Sequence, residues 1–333
     1  MRKFSTAAFL GLTLSAGNVF AQSAGLPDGF YIDGYIDLSY STDTSDHQTS
    51  AFANLDMGIR PDAGISGIPL GFSLGIDAIE NKPSGGSSAG RVAFYPAVTF
   101  GLGANGLVSV GIPRSVANTG HGYVPDEIFA NSYTLSKTFG LGLYRDSFVA
   151  FNYLASTKVT PYGVRYDGSF GNLNFGASYH HVDGRGGNSD ADAYALAFRY
   201  NLDGVGSLPK AALFGSFERY SDSDPTGTDL NIYTLGGEAG TEQLAGGIIL
   251  HRFDTTGGNL DLIEAYGTYK FTEQFSTKLS VLNLDFGGGG STLLYGLGLE
   301  YQILDKGYLS ASITDSDSSG SNALYEISAG WRF

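Results

Sequence analysis

The chain has no cysteine and, in 333 residues, only two methionines, one tryptophan and ten prolines. Without thiols, disulfide scaffolds, Cys-based metal sites and Cys nucleophiles are all excluded. Beyond the N-terminal segment no run approaches about 18 consecutive apolar residues, so no transmembrane helix is expected. Positive charge is also scarce. Nineteen Lys and Arg face 33 Asp and Glu, a formal net charge of −14 that disfavours nucleic acid as a partner. What is plentiful is glycine (49), phenylalanine (22) and tyrosine (21). Glycine with aromatics suits curved, closed sheets; helical proteins draw more on Ala, Leu, Lys and Glu.

The N-terminus reads as a secretory leader. Arg2 and Lys3 precede an apolar stretch from Phe4 to about Ala16, and Val19-Phe20-Ala21 places small residues at a cleavage site. Residues 1–21 are therefore expected to be removed, leaving 22–333 as one domain. The leader carries two cations and no acid, so the mature net charge becomes −14 − 2 = −16.

The chain ends on "ALYEISAGWRF", in which Ala323, Tyr325, Ile327, Ala329, Trp331 and Phe333 fall on one row and Leu324, Glu326, Ser328, Gly330 and Arg332 on the other. The same period of two recurs near 30–40, 51–60, 69–79, 90–101, 106–113, 158–168, 172–182, 191–200, 210–220, 230–238, 243–252, 260–271, 274–284, 291–302, 307–314 and 323–333. That spacing predicts about sixteen strands, each with an apolar and a polar face. No segment of helical period interrupts them, and a continuous series of hairpins leaves no domain boundary.

The connections alternate in character. Odd-numbered ones such as "STDTSDHQTS" (41–50), "NKPSGGSSAG" (81–90) and "DSDSSGSN" (315–322) are long and polar; even-numbered ones such as "GANG" (103–106) and "TE" (272–273) are tight, with "PDAGISGI" (61–68) and "NLDGVGSLP" (201–209) as exceptions. Long loops on one side and short turns on the other are the pattern of an outer-membrane barrel. A soluble β-sandwich also alternates, but here the strand count is even and large, and rings sit near the ends of the apolar rows: Phe30 and Tyr40 on the first strand, Tyr325 and Phe333 on the last. The fold class expected is all-β, a transmembrane antiparallel barrel. Charges fit it. Ten acids (Asp33, Asp37, Asp56, Asp77, Asp167, Glu218, Glu238, Glu264, Glu300, Glu326) and seven bases (Arg60, Arg91, Arg165, Arg199, Lys270, Lys278, Arg332) lie on polar rows, whereas the apolar rows hold only Arg219 and Arg252, both at strand ends. A Lys or Arg facing lipid at mid-depth costs about 2–4 kcal/mol. At a rim those two arginines can meet lipid phosphates.

Two stretches, "YGVRYDGSFGNLNFGASYHH" (162–181) and the terminal "AGWRF", resemble the general porins of the Gram-negative outer membrane, the first a hairpin after the constriction loop and the second a barrel assembly signal. The resemblance implies a homotrimer in outer-membrane lipid that passes ions and small hydrophilic solutes by passive diffusion. It also implies that Trp331 and Phe333 are read by the insertion machinery. The long connection from Pro113 to about Thr157 corresponds to the in-folded constriction loop (about 114–157), with Asp126 and Glu127 as loop acids opposed by wall arginines Arg60, Arg91 and Arg165. The family's Pro-Glu-Phe-Gly-Gly motif is missing, and "VPDEIF" (124–129) stands in its place.

Other signals lead elsewhere. "GLGANG" (101–106) matches a dinucleotide pattern but opens no helix, so it reads as a turn. His180 and His181 fall on opposite faces of a strand, without a third ligand, which argues against a transition-metal site. No cofactor is expected, beyond loose Ca²⁺ at acidic loops carrying Asp222, Asp224 and Asp229, or Asp315 and Asp317. Pro96 and Pro161 sit inside predicted strands and mark a bulge or a shifted boundary. The alternatives are an adhesin or structural barrel, and a barrel hydrolase; for the latter, none of the five histidines is spaced to pair with a serine on the lipid-facing row. No enzyme is expected.

Overall fold

A computed structural model describes residues 29–62, 68–86, 89–118, 160–183, 190–202, 210–222, 229–255, 257–318 and 322–333. The expected leader, and Asp126 and Glu127 within the long connection, lie outside the described residues. Sixteen strands form one closed antiparallel barrel in which each pairs with its sequence neighbours and the last pairs with the first. They are β1 (Phe30–Thr42), β2 (His47–Ile59), β3 (Leu70–Pro83), β4 (Ala89–Gly101), β5 (Leu107–Gly111), β6 (Thr160–Phe170), β7 (Leu173–Asp183), β8 (Ala191–Asn201), β9 (Lys210–Asp222), β10 (Leu230–Gly240), β11 (Leu244–Thr255), β12 (Gly258–Lys270), β13 (Phe275–Asp285), β14 (Ser291–Ile303), β15 (Gly307–Ser316) and β16 (Leu324–Arg332).

Period two decides which side chains meet lipid. On β16, Tyr325 and Ile327 are exposed on the outside, while Glu326 and Ser328 are buried on the inside. The apolar outward row recurs around the barrel, with Phe94, Leu196, Leu235, Ile248, Leu279 and Leu297 all exposed. An apolar belt of this extent is stable only against another apolar phase.

The seam answers why the chain ends on an aromatic strand. Leu38 pairs with Ala329 and Ile36 with Trp331. The backbone N–H of Phe333 donates to the Gly34 carbonyl at 2.9 Å. Gly34 has φ +118°, and a Cβ there would lie 2.0 Å from the Asn54 carbonyl oxygen, so only glycine permits the bend that receives the terminus. Trp331 sits across from Gly307, whose missing side chain leaves room for the indole.

Strand number and order match expectation, whereas boundaries differ at the loop side. β2 starts at His47 and β3 runs to Pro83, so more than half of 41–50 and half of 81–90 is strand, leaving 43–46 and 84–88 as connections. Hydrogen-bonded ladders continue past the apolar band, where both rows are polar and the alternation signal is lost. The contrast of long loops with short turns is correspondingly weaker. The loop-side link 256–257 is short and the turn-side links 60–69 and 202–209 are long, so 112–159 alone stands out. Pro96 interrupts nothing in β4. Its carbonyl accepts from the Ile112 N–H at 2.7 Å, so its nitrogen faces the end of β5, where the ladder has already stopped. Pro161 is the second residue of β6.

Candidate pore site

The long connection begins inside the lumen. β5 ends at Gly111 (φ +130°), and residues 112–118 cross the inner wall to a short 3-10 turn, Val116–Asn118. Val116 is fully buried against Ala195 and Ala197 on the inward row of β8, where small side chains make room for it. Three hydrogen bonds tie the segment to β6 and β7: His180 Nε2 meets the Pro113 carbonyl at 2.6 Å, the Val116 N–H donates to Ser178 Oγ at 3.1 Å, and Arg165 donates to the Arg114 carbonyl at 3.4 Å.

Arg114 is the centre of this arrangement. Its guanidinium donates to Asp56 Oδ1 at 3.0 Å, to Asp77 Oδ2 at 2.5 Å and to the Leu55 carbonyl at 3.1 Å, and it stacks 4.5 Å from the centroid of Tyr95. Asp77 also accepts from the Asn54 amide at 2.9 Å. The Arg114 and Asp77 side chains are 7% and 3% exposed, whereas Asp56 keeps 36%. Gly75 provides the space, since a Cβ there would lie 2.8 Å from Arg114 Nε. Burial acts to lower the guanidinium pKa, but Asp77 and Asp56 outweigh it and raise it above the ordinary arginine value. Arg114 is a permanent cation that ties the root of the connection to β2, β3 and β4.

Of the three wall arginines expected from the sequence, the register brings Arg60 and Arg165 to one level and leaves Arg91 apart. Arg165 faces the lumen, but both its Nε and NH2 are taken by Asp167 on the same strand, at 2.7 and 2.5 Å. Arg60 is exposed at the turn-side end of β2, 5.6 Å from the Tyr31 ring centroid. Arg91 lies toward the other end, on β4, level with Ile79 and hence with Phe52. Eight residues separate Phe52 from Arg60 along β2, about 26 Å of strand, so Arg91 stands apart from Arg60, whereas Arg60, one residue past Ile59, continues the row of Gly71, Thr99, Ser109 and Arg165. Sequence reasoning placed all three on polar rows without registering the strands against one another, and side-chain alternation alone carries no depth. It missed Arg114, which follows Pro113 in a stretch with no period. The available signal was the pair Asp56 and Asp77, two acids on adjacent inward rows that need a cation.

Other wall charges are paired too. Arg199 bonds Glu238, and Lys278 and Arg332 converge on Glu300 at 3.4 and 2.8 Å. Tyr308 donates to Asp37 at 2.8 Å across the seam. Arg219 and Arg252 are half-exposed on the outward rows at the loop-side edge, beside Asp229 and Asp254. Residues 103–105 form a single 3-10 turn followed by β5, as the turn reading of "GLGANG" expects and unlike the helix that a dinucleotide site needs. His180 points inward, while His181 points outward to Asp192 at 2.9 Å; among the described residues no group of three ligands could hold a metal ion.

No protein-family model matches the chain, and no curated protein matches it. Solved structures do. Engineered variants of the porin of Rhodopseudomonas blastica superpose over 91% of this chain and 100% of their own, with TM-scores of 0.57 and 0.55 at 16% identity. A further variant of that porin gives 0.56 at 15% identity with the same coverage. Likeness at that identity establishes the general porin fold.

Proposed function

We propose that this chain is an outer-membrane porin, a non-enzymatic, water-filled channel for passive diffusion of ions and small hydrophilic solutes. The observation that carries the reading is the placement of polarity. A closed sixteen-stranded barrel turns an apolar face outward and a charged one inward, and the root of its longest connection is pinned within the lumen by Arg114. Barrels of this size leave an aqueous channel unless filled. The fold similarity supports the same reading, because the solved neighbours are porins.

The finer proposals follow from it. The chain sits in the outer membrane of a Gram-negative bacterium, surrounded by outer-membrane lipid, as a homotrimer, after removal of residues 1–21. It has no nucleic-acid partner and no cofactor, with Ca²⁺ bound at most loosely by acidic loops. Asp126 and Glu127, which lie outside the described residues, serve as the acids of the constriction, with Arg60, Arg91 and Arg165 as its wall bases. Purified protein added to a planar bilayer should give stepwise, ohmic conductance. Insertion without conductance would favour the structural-barrel alternative, and hydrolysis of a lipid or ester substrate would favour the enzyme.

A further inference from the structure

The lumen wall differs in chemistry around its circumference. In the loop-side third of β12–β14 the inward positions are Leu262, Leu282, Leu284 and Leu294, packed together at 6%, 5%, 0% and 2% exposure. Across the seam the inward rows are hydroxylic. Ser310, Ser328, Ser39 and Ser50 stand side by side in register on β15, β16, β1 and β2. The next row toward the loops is Ser312, Glu326, Ser41 and Gln48. Ser310 and Ser328 share a hydrogen bond of 2.6 Å, and Gln48 donates to Ser50 at 3.0 Å. These positions are as buried as the leucines, with Ser39, Ser50 and Ser328 at 8%, 9% and 8% exposure, so chemistry and not exposure separates the sectors; among the described residues Ser41 Oγ, fully buried, has no hydrogen-bond partner.

These two sectors suit different neighbours. A leucine wall in contact with water forfeits the free energy its packing supplies, and narrow apolar walls dewet. A buried hydroxyl without a partner is costly, and one ordered water removes that cost. We infer that, in the loop-side half of the lumen, water follows the hydroxylic sector of β15, β16, β1 and β2, and that the leucine sector of β12–β14 is dry. Solutes entering from the loop side then travel along the serine rows and Glu326. This rests on the channel reading above, to which it adds the route.

The absence of cysteine gives a silent background for the test. Single variants Ser39→Cys, Ser328→Cys, Leu262→Cys and Leu284→Cys are treated, folded in detergent, with a charged methanethiosulfonate reagent. Labelling is read by intact-mass spectrometry and, separately, as a change in bilayer current. A thiol packed among leucines is inert where one beside water reacts, so the serine sites should label at least about tenfold faster than the leucine sites. The leucine sites should label only after unfolding. Comparable labelling at both sectors, or unlabelled serine sites, overturns the inference. If a leucine variant fails to give the heat-modifiable folded band, the two serine sites decide alone, since protection of both is sufficient to overturn it. The mass readout needs no current. Sector-specific labelling without conductance would defeat the channel reading and keep the wet sector; conductance with uniform labelling would do the reverse.

Discussion

Removing the Arg114 guanidinium should be the most damaging single change at the lumen wall. In Arg114→Ala, Asp77, 3% exposed in the wild type, loses its cation and keeps the Asn54 amide at 2.9 Å and the Tyr95 hydroxyl as partners. Stranding one member of a buried ion pair costs about 3–5 kcal/mol, and the surviving hydrogen bonds put the expectation near the lower end. Asp56 adds little because more than a third of it is already solvated. Arg114→Lys keeps the charge but cannot serve Asp56, Asp77 and the Leu55 carbonyl in one plane; a loss of about 1–2 kcal/mol is expected. The informative variant is Arg114→Met with Asp77→Asn, which removes both charges together. It should recover at least about half of the loss, since an absent pair strands nothing. Guanidinium unfolding in detergent, followed by tryptophan fluorescence of the single Trp331, measures all three. Bilayer recordings of the same proteins should show noisier currents for Arg114→Ala, because the segment 112–118 loses its tie to β2 and β3. A stability within about 1 kcal/mol of wild type for Arg114→Ala, or a double variant no better than the single, would refute the argument.

Deleting Phe333, or replacing it with Asp, should sharply reduce membrane-inserted protein, read as the folded band in an outer-membrane fraction; normal insertion would remove the account of the C-terminus. Unheated detergent samples should migrate as a trimer and collapse to one subunit on boiling, and a monomer by light scattering with intact strand content would defeat the trimer alone. Replacing Asp126 and Glu127 by Asn and Gln should lower cation preference in a salt-gradient reversal potential without closing the pore. Neutralising Arg165 should raise cation preference more than neutralising Arg60 or Arg91, because it frees Asp167 as well. Equal potentials in all of these variants would place none of them at the narrowest point.

Much of the fold was legible in the sequence because a barrel strand writes its two environments in alternate residues. Leu293 to Tyr301, for example, shows outward leucine and tyrosine against inward Gly296, Gly298 and Glu300, and β14 follows that reading to within a residue at each end. Where both rows turn polar, as in His47 to Ser50, the code goes silent while the backbone ladder continues, and the boundary was misplaced. The site was harder to read. Which inward residues share a depth depends on the register between neighbouring strands, and alternation does not encode register. Arg114 sits outside any periodic segment, and its partners lie 58 and 37 residues away in sequence.

Charge pairing also reshapes what the wall can do to a passing ion. Ten acids and seven bases were counted on polar rows; Arg114 adds an eighth base, so the formal wall balance is 8 − 10 = −2. Most of those charges are committed to close partners: Arg165 with Asp167, Arg199 with Glu238, Lys278 and Arg332 with Glu300, and Arg114 with Asp56 and Asp77. A paired charge presents a dipole to the lumen, whose field falls off faster than that of a single charge, and salt screens what is left over about 8–10 Å. Among these pairs two groups are unbalanced: Arg114 against two carboxylates leaves one negative charge where the long connection begins, and Lys278 with Arg332 on Glu300 leaves one positive charge toward the turn side. The field beside the segment that Arg114 holds is therefore weak and negative. If that segment lines the narrowest part of the pore, weak cation selectivity is the expected outcome, falling as ionic strength rises.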